Sequence, residues 1–174
     1  MRKIRIQALA LLILLSLFSV TIVSADNSNF VAHLSGDAEV PPAGVVNNTL
    51  AQGQAIFRLS ADGTSLHYKL MVANIDNVVA SHIHLAPAGV NGPVVAFLYG
   101  TAPAGGGRTD GVLAEGDITA ADLINALAGH PLSDLVAEIE AGNIYVNVHT
   151  NDGVIPTNTG PGDFPGGEIR GQLH

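Results

Sequence analysis

The sequence has no cysteine and no tryptophan, and only 7 Lys+Arg among its 174 residues. Without cysteine there is no disulfide framework, no thiol nucleophile, no cysteine-ligated zinc site and no lipidated N-terminal cysteine. The few cations are unevenly placed. Arg2, Lys3 and Arg5 precede an almost wholly apolar run over 8–23, which ends in the small residues Val23-Ser24-Ala25. A basic start, a short apolar stretch and an A-x-A-like exit mark 1–25 as a secretory signal peptide. The run falls short of the about 20 apolar residues that a membrane span needs, an uncleaved N-terminal anchor being the alternative. It also explains a mean hydropathy as high as +0.35.

Removal of that segment leaves a single domain over 26–174. It holds four scattered cations, Arg58, Lys69, Arg108 and Arg170, against all 15 acids of the chain, a formal charge of −11 with His neutral. Affinity for nucleic acid comes mainly from cations meeting phosphates, so this chain is not a nucleic-acid binder. Docking to an anionic membrane after signal cleavage is disfavoured for the same reason. A domain of this length buries an adequate core without covalent staples. The expectation is a soluble, acidic, exported protein: periplasmic, cell-surface or extracellular.

Gly (20) and Pro (9) recur throughout, a pattern of short strands joined by turns. Phe30, Ala32 and Leu34 alternate with Val31, His33 and Ser35, predicting a strand that ends near Gly36. Two alternating runs, 55–60 and 66–72, flank Asp62-Gly63, the pattern of a β-hairpin with one buried face. Further strands are predicted at 79–85, 94–99, 111–118, 144–150 and 168–173, with Asn91-Gly92-Pro93 as a turn. The Gly-rich 100–111 segment predicts a mobile surface loop. Helical signal is confined to 119–141, where Thr119 can cap 120–127 and Ser133 can cap 134–141. The fold class is therefore all-β: an antiparallel, immunoglobulin-like or Greek-key sandwich or barrel, with one or two short helices in a late connection.

Signatures of hydrolases, kinases and nucleotide binders are absent. Acids such as Asp37, Glu39, Asp117, Asp122, Asp134, Glu138 and Glu140 fall at expected caps, turns or exposed helix positions, where solvation suffices as a role. The histidines say more. In Ser81-His82-Ile83-His84-Leu85 the strand period sends both imidazoles to one face and Ile83 to the core. In 144–149 the same period sends Tyr145, Asn147 and His149 outward. If the two strands are neighbours, His82, His84 and His149 converge on the solvent side of the barrel. Imidazole suits copper, zinc, nickel or iron, and H-x-H on a strand is a compact two-ligand arrangement. The plainer alternative is that these rings only hydrogen-bond loop carbonyls. His33, His67, His130 and His174 are isolated and read as surface residues. Asn151-Asp152-Gly153 with Asp163 and Glu168 offers a calcium reading, although its spacing fits no EF-hand. Glu168 and Arg170, two apart on a strand, read as bracing one another or their neighbours.

With these residues in view the sequence resembles the CHRD domain, first named in chordin and found in many exported bacterial and archaeal proteins. The resemblance runs from Phe30-Val31-Ala32-His33-Leu34-Ser35-Gly36 and Glu39-Val40-Pro41-Pro42 through Ser81-His82-Ile83-His84 and Gly89-Val90-Asn91-Gly92-Pro93-Val94. It continues through Gly116-Asp117-Ile118-Thr119, Asp122-Leu123 and Gly142-Asn143-Ile144-Tyr145-Val146-Asn147-Val148-His149-Thr150, and closes on Gly167-Glu168-Ile169-Arg170-Gly171-Gln172-Leu173. It implies an immunoglobulin-like β-barrel distantly similar to copper/zinc superoxide dismutases. His82-Ile83-His84 looks like the dismutase copper pair and His149 like its later copper histidine. The dismutase cysteines, bridging histidine and zinc-loop ligands have no counterpart here.

The expectation is thus an exported, non-enzymatic CHRD domain that binds an unidentified protein or extracellular ligand. Copper or zinc would sit on His82, His84 and His149, with Asn147 or Tyr145 orienting the rings. A copper-dependent oxidoreductase with a reduced dismutase-like site, or a purely structural surface or matrix protein, are the competing readings.

Overall fold

Alternation of apolar and polar residues builds the first three strands. The computed structural model describes residues 29–174; the signal peptide expected at 1–25 lies outside them. The strands are β1 (Asn29–Ser35), β2 (Gln52–Leu59), β3 (Ser65–Asp76), β4 (Val78–Leu85), β5 (Val94–Tyr99), β6 (Arg108–Thr119), β7 (Ile144–Thr150) and β8 (Ile169–Gln172). Phe30, Ala32 and Leu34 on β1, Ala55 and Phe57 on β2, and Leu66, Leu70 and Val72 on β3 face inward and are buried. The predicted hairpin forms with Phe57 opposite Tyr68 and Ala55 opposite Leu70. At its tip the Asp62 carboxylate accepts from the Ser60 hydroxyl at 2.7 Å and the Thr64 hydroxyl at 2.7 Å. Gly63 supplies the positive φ of 71° that the turn needs.

One antiparallel sheet of eight strands results, in the order β5-β4-β7-β8-β1-β2-β3-β6. Its two end strands, β5 and β6, lie against each other without a ladder between them, so the sheet curls into a nearly closed barrel with a single seam. The seam is fastened by hydrogen bonds to the carbonyls of β5. The buried Tyr68 hydroxyl donates to the Leu98 carbonyl at 2.7 Å. The Ile124 amide donates to the Val95 carbonyl at 2.9 Å, and the Asn125 amide group to the Val94 carbonyl at 2.8 Å. A free strand edge invites pairing with other chains, and these three donors cover the carbonyls of β5.

That use of Ile124 and Asn125 explains a departure from the sequence expectation. The helix predicted over 120–127 is two single 3-10 turns, Ala120–Asp122 and Asn125–Leu127. Between them Ile124 is extended and Asn125 takes a φ of 50°; the Ile124 amide serves β5 rather than a helix, and the Asn125 side chain bonds β5 beside it. Thr119 does cap the first turn, in a capping box with Asp122. The second helix forms as α1 (Leu132–Glu140), with Leu132, Leu135 and Ile139 buried; Pro131, not Ser133, holds its N-cap. The Gly-rich segment is also shorter than expected, because β6 begins at Arg108. It is pinned by Ala102 donating to Val79 at 2.8 Å, Gly105 donating to Asn151 at 2.9 Å, and Gly107 donating to the Asn77 side chain at 2.9 Å. Among the described residues no helix is long and apolar enough to cross a membrane.

The solvent-side face expected for the histidine strands is corrected by the structure. On β4, β7 and β8 the outward residues are covered by the 36–51, 86–93 and 151–168 connections. Two of these connections are held by one carboxylate. Glu168, 0% exposed, accepts from the Thr49 hydroxyl at 2.5 Å, the Thr150 hydroxyl at 2.5 Å and the Gly162 amide at 2.8 Å. Glu168 therefore braces neighbours, and no ion pair joins it to Arg170 among the described residues.

Candidate metal centre

β4 and β7 are neighbours, with Ala80 opposite His149, His82 opposite Asn147 and His84 opposite Tyr145. Adjacent antiparallel strands in this register place His82, His84 and His149 on one face. One nitrogen of each ring lies within 4.8 Å of the others. Ile83, 0% exposed, points the other way with Val146 and Val148, so the site is anchored on the apolar core. Each such side chain contributes about 1.5–3 kcal/mol by its burial.

The backbone of the covering loops fixes two of the rings. His149 Nδ1 donates to the Pro165 carbonyl at 2.9 Å, which leaves its Nε2 as a lone pair. His84 Nδ1 donates to the Gly92 carbonyl at 2.9 Å. Its Nε2 is buried and has no hydrogen-bond partner. His82 Nδ1 stands 3.0 Å from His149 Nε2; since the latter is the acceptor, His82 carries the shared proton in the metal-free protein. Burial, followed by the neighbouring imidazoles, pushes His82 down to about 4. Burial also pushes His149 down to about 4 and lowers His84. The three rings are neutral at pH 7, the form that ligates metals.

Aromatic residues frame the cluster. Tyr145 stacks on His84 with centroids 4.7 Å apart and planes 10° from parallel. Its hydroxyl accepts from the Gly92 amide at 3.1 Å. Gly92 thus touches the site through both its amide and its carbonyl, and no larger residue fits there: a Cβ would lie 2.0 Å from the Leu85 carbonyl. Phe97 on β5 is 53% exposed and meets His82 edge-on at 4.9 Å.

The three predicted ligands therefore do converge. Among the described residues the acids of the calcium reading, Asp152, Asp163 and Glu168, form no group at ligating distances, whereas the three histidines do. Asn151 and Asp152 accept from the nearby amides of Gly153 and Val154, each at 2.7 Å. His33, His67, His130 and His174 are exposed, as expected. Glu39 is the main surprise among the acids: it is 8% exposed, its Oε1 accepts from the Val40 amide at 2.9 Å, and its Oε2 is buried without a partner. Burial raises its pKa. The parts that sequence reasoning missed, namely Gly92, Pro165, Phe97 and Glu39, lie on segments distant in sequence from the histidines, except Gly92. At that position the Asn-Gly dipeptide signals a turn but not what the turn touches.

No curated protein and no solved structure matches the chain. A family model described as the CHRD domain matches residues 30–173, from the second residue of β1 to the residue after β8. With one family spanning the whole barrel and the histidine face built upon it, the chain belongs to the CHRD domain family.

Proposed function

We propose that this CHRD domain is an exported, non-enzymatic binding module whose covered face holds one copper or zinc ion on His82, His84 and His149. The observation that carries the reading is the Nε2 of His84, buried without a partner beside two other imidazoles. A buried polar atom left unpaired costs about 1–3 kcal/mol and is rare in a native structure unless something else satisfies it. The donor set fits such an ion: three neutral nitrogens, two held in orientation by carbonyls. Binding requires His82 to give up its hydrogen bond to His149 Nε2, either by ligating through its own Nε2 or by moving the proton there. The protein or extracellular ligand that the module recognises would meet the domain at this face or at its loops.

Copper(II) and zinc(II) titration of the protein beside a His82→Ala/His84→Ala/His149→Ala variant tests the reading. One tight equivalent is expected, lost in the variant. His82→Ala and His149→Ala alone should each weaken binding by more than about 100-fold. Equal uptake by wild type and triple variant would remove the metal site. The second reading, a copper oxidoreductase, is favoured by one observation: three protein ligands leave an open coordination position, as catalytic sites do. Superoxide turnover by the copper-loaded protein no faster than by free copper ends it.

A further inference from the structure

Behind the histidines lies a buried cation that metal ligation does not use. Arg170 on β8 is 1% exposed. A guanidinium stays protonated in proteins, and a buried charge is ordinarily matched by an opposite one. Here no ion pair reaches Arg170 among the described residues. Its hydrogen bonds go to neutral oxygens, the Asn91 side chain at 3.3 Å and the Pro87 carbonyl at 3.0 Å. The guanidinium carbon sits 3.4 Å from the centre of the Tyr145 ring. β7 lies between β4 and β8, so the guanidinium and the His84 imidazole take opposite faces of that phenol. A column results, Arg170 on Tyr145 on His84, that ends at the unpartnered His84 Nε2. Glu39 is the carboxylate whose field reaches Arg170, and burial favours its neutral form.

We propose that Arg170, acting through the Tyr145–His84 stack, biases the three-histidine centre toward the singly charged cuprous ion over divalent copper. The inference rests on the metal reading above and names the charge state that the site selects. Three neutral imidazoles bring no negative charge, so the loaded centre carries the full charge of its ion. Burial opposes the second positive charge more than the first, and a fixed cation held nearby repels the divalent ion twice as strongly. Arg170 touches no ligand atom of the cluster. It is a positioning residue that sets the field and holds the phenol against His84.

The test measures cuprous and cupric affinities separately, by competition with a chromophoric chelator for each ion, in wild type, Arg170→Gln and Arg170→Lys. Wild type should bind Cu(I) at least about tenfold more tightly than Cu(II). Arg170→Gln should move that ratio about tenfold toward Cu(II), which corresponds to a one-electron potential lower by about 60 mV. Arg170→Lys, which keeps the charge, should hold the wild-type preference. A wild type that prefers Cu(II), or an Arg170→Gln protein with the wild-type ratio, overturns the inference. Should Arg170→Gln fail to fold, Arg170→Met, uncharged and of similar reach, takes its place with the same expected shift, and a wild-type ratio in it overturns the inference. Uptake of neither ion defeats the metal reading itself, an outcome distinct from uptake of both with the opposite preference.

Discussion

The two halves of this barrel treat their outward polar side chains in opposite ways. On β2, β3 and β6 the outward residues Arg58, His67, Glu115 and Asp117 meet water. Their contacts, such as Lys69 to Glu115 at 3.1 Å, lie between side chains that are 41% and 46% exposed. On β4, β7 and β8 outward residues are polar too, yet Arg170, Asn147 and His84 are 1, 2 and 8% exposed. The strand chemistry is alike; the loops make the difference. A polar group facing water needs no partner, whereas one beneath a loop must find it in the protein. The buried side-chain atoms that find none, on Glu39, His84, Asn147, Asp163 and Gln172, belong to the covered half or its loops. Polar burial with unsatisfied atoms is a cost that folding alone does not explain, and two of these atoms, on His84 and Asn147, lie on the histidine face.

The sharpest way to break this contrast is to cut the anchor of the cover. Glu168→Ala removes the acceptor of Thr49, Thr150 and the Gly162 amide together. Hydrogen bonds to a charged group are worth about 1.5–3 kcal/mol each, and the donors left behind are buried. A loss of at least about 3 kcal/mol in denaturant unfolding is expected, with loss of metal uptake. A midpoint shifted no further than by a surface substitution would show that the loops are not held this way.

A smaller effect is expected inside the covered half from Tyr145→Phe, which keeps the ring but removes the acceptor of the Gly92 amide. Stability should fall by about 1 kcal/mol. Metal affinity should fall about tenfold, because the carbonyl of the same residue orients His84. Unchanged affinity would mean that the Gly92 carbonyl holds the imidazole without help from Tyr145.

Much of the barrel can be read from the chain because its inward faces repeat with period two. The β2–β3 hairpin is specified by its alternation and its Asp-Gly tip, and β4 and β7 by Ile83, Val146 and Val148. The histidine cluster is legible for the same reason: a spacing of two fixes a common face, and strand adjacency completes it. What alternation cannot report is what lies over a face. Tyr145, Asn147 and Arg170 look like solvent-facing residues by period, and their burial depends on connections far away in sequence, such as that of Asn47 to Glu168, 121 residues apart. The short turns at 120–127 escape local reading similarly, since Ile124 and Asn125 spend their donors on β5.

On the open half, pH offers a finer test. The Asp62 carboxylate is held down to about 2 by the Ser60 and Thr64 hydrogen bonds, from an ordinary 3.8. Between those values the unfolded chain binds the proton and the folded chain does not, so stability falls with falling pH. The contribution of Asp62 is complete above pH 3.8 and is lost as the pH drops through about 2. The gap in melting temperature between wild type and Asp62→Ala should therefore hold down to about pH 4 and narrow from there to pH 2. A constant gap would mean that the turn does not depend on the carboxylate charge.

The smallest effect should come from the ion pairs of β3 and β6, which bounds the comparison from below. Lys69 and Glu115 face each other across the ladder with nearly half of each side chain in water. At such exposure the attraction is screened, and ordering two long side chains offsets most of it. A double-mutant cycle of Lys69→Ala and Glu115→Ala should give a coupling of about 0.5 kcal/mol or less, shrinking further in high salt. Metal uptake on the other half should be unaffected by either substitution. A coupling near that of Glu168 with its partners would mean that water, and not the loops alone, fails to set these halves apart.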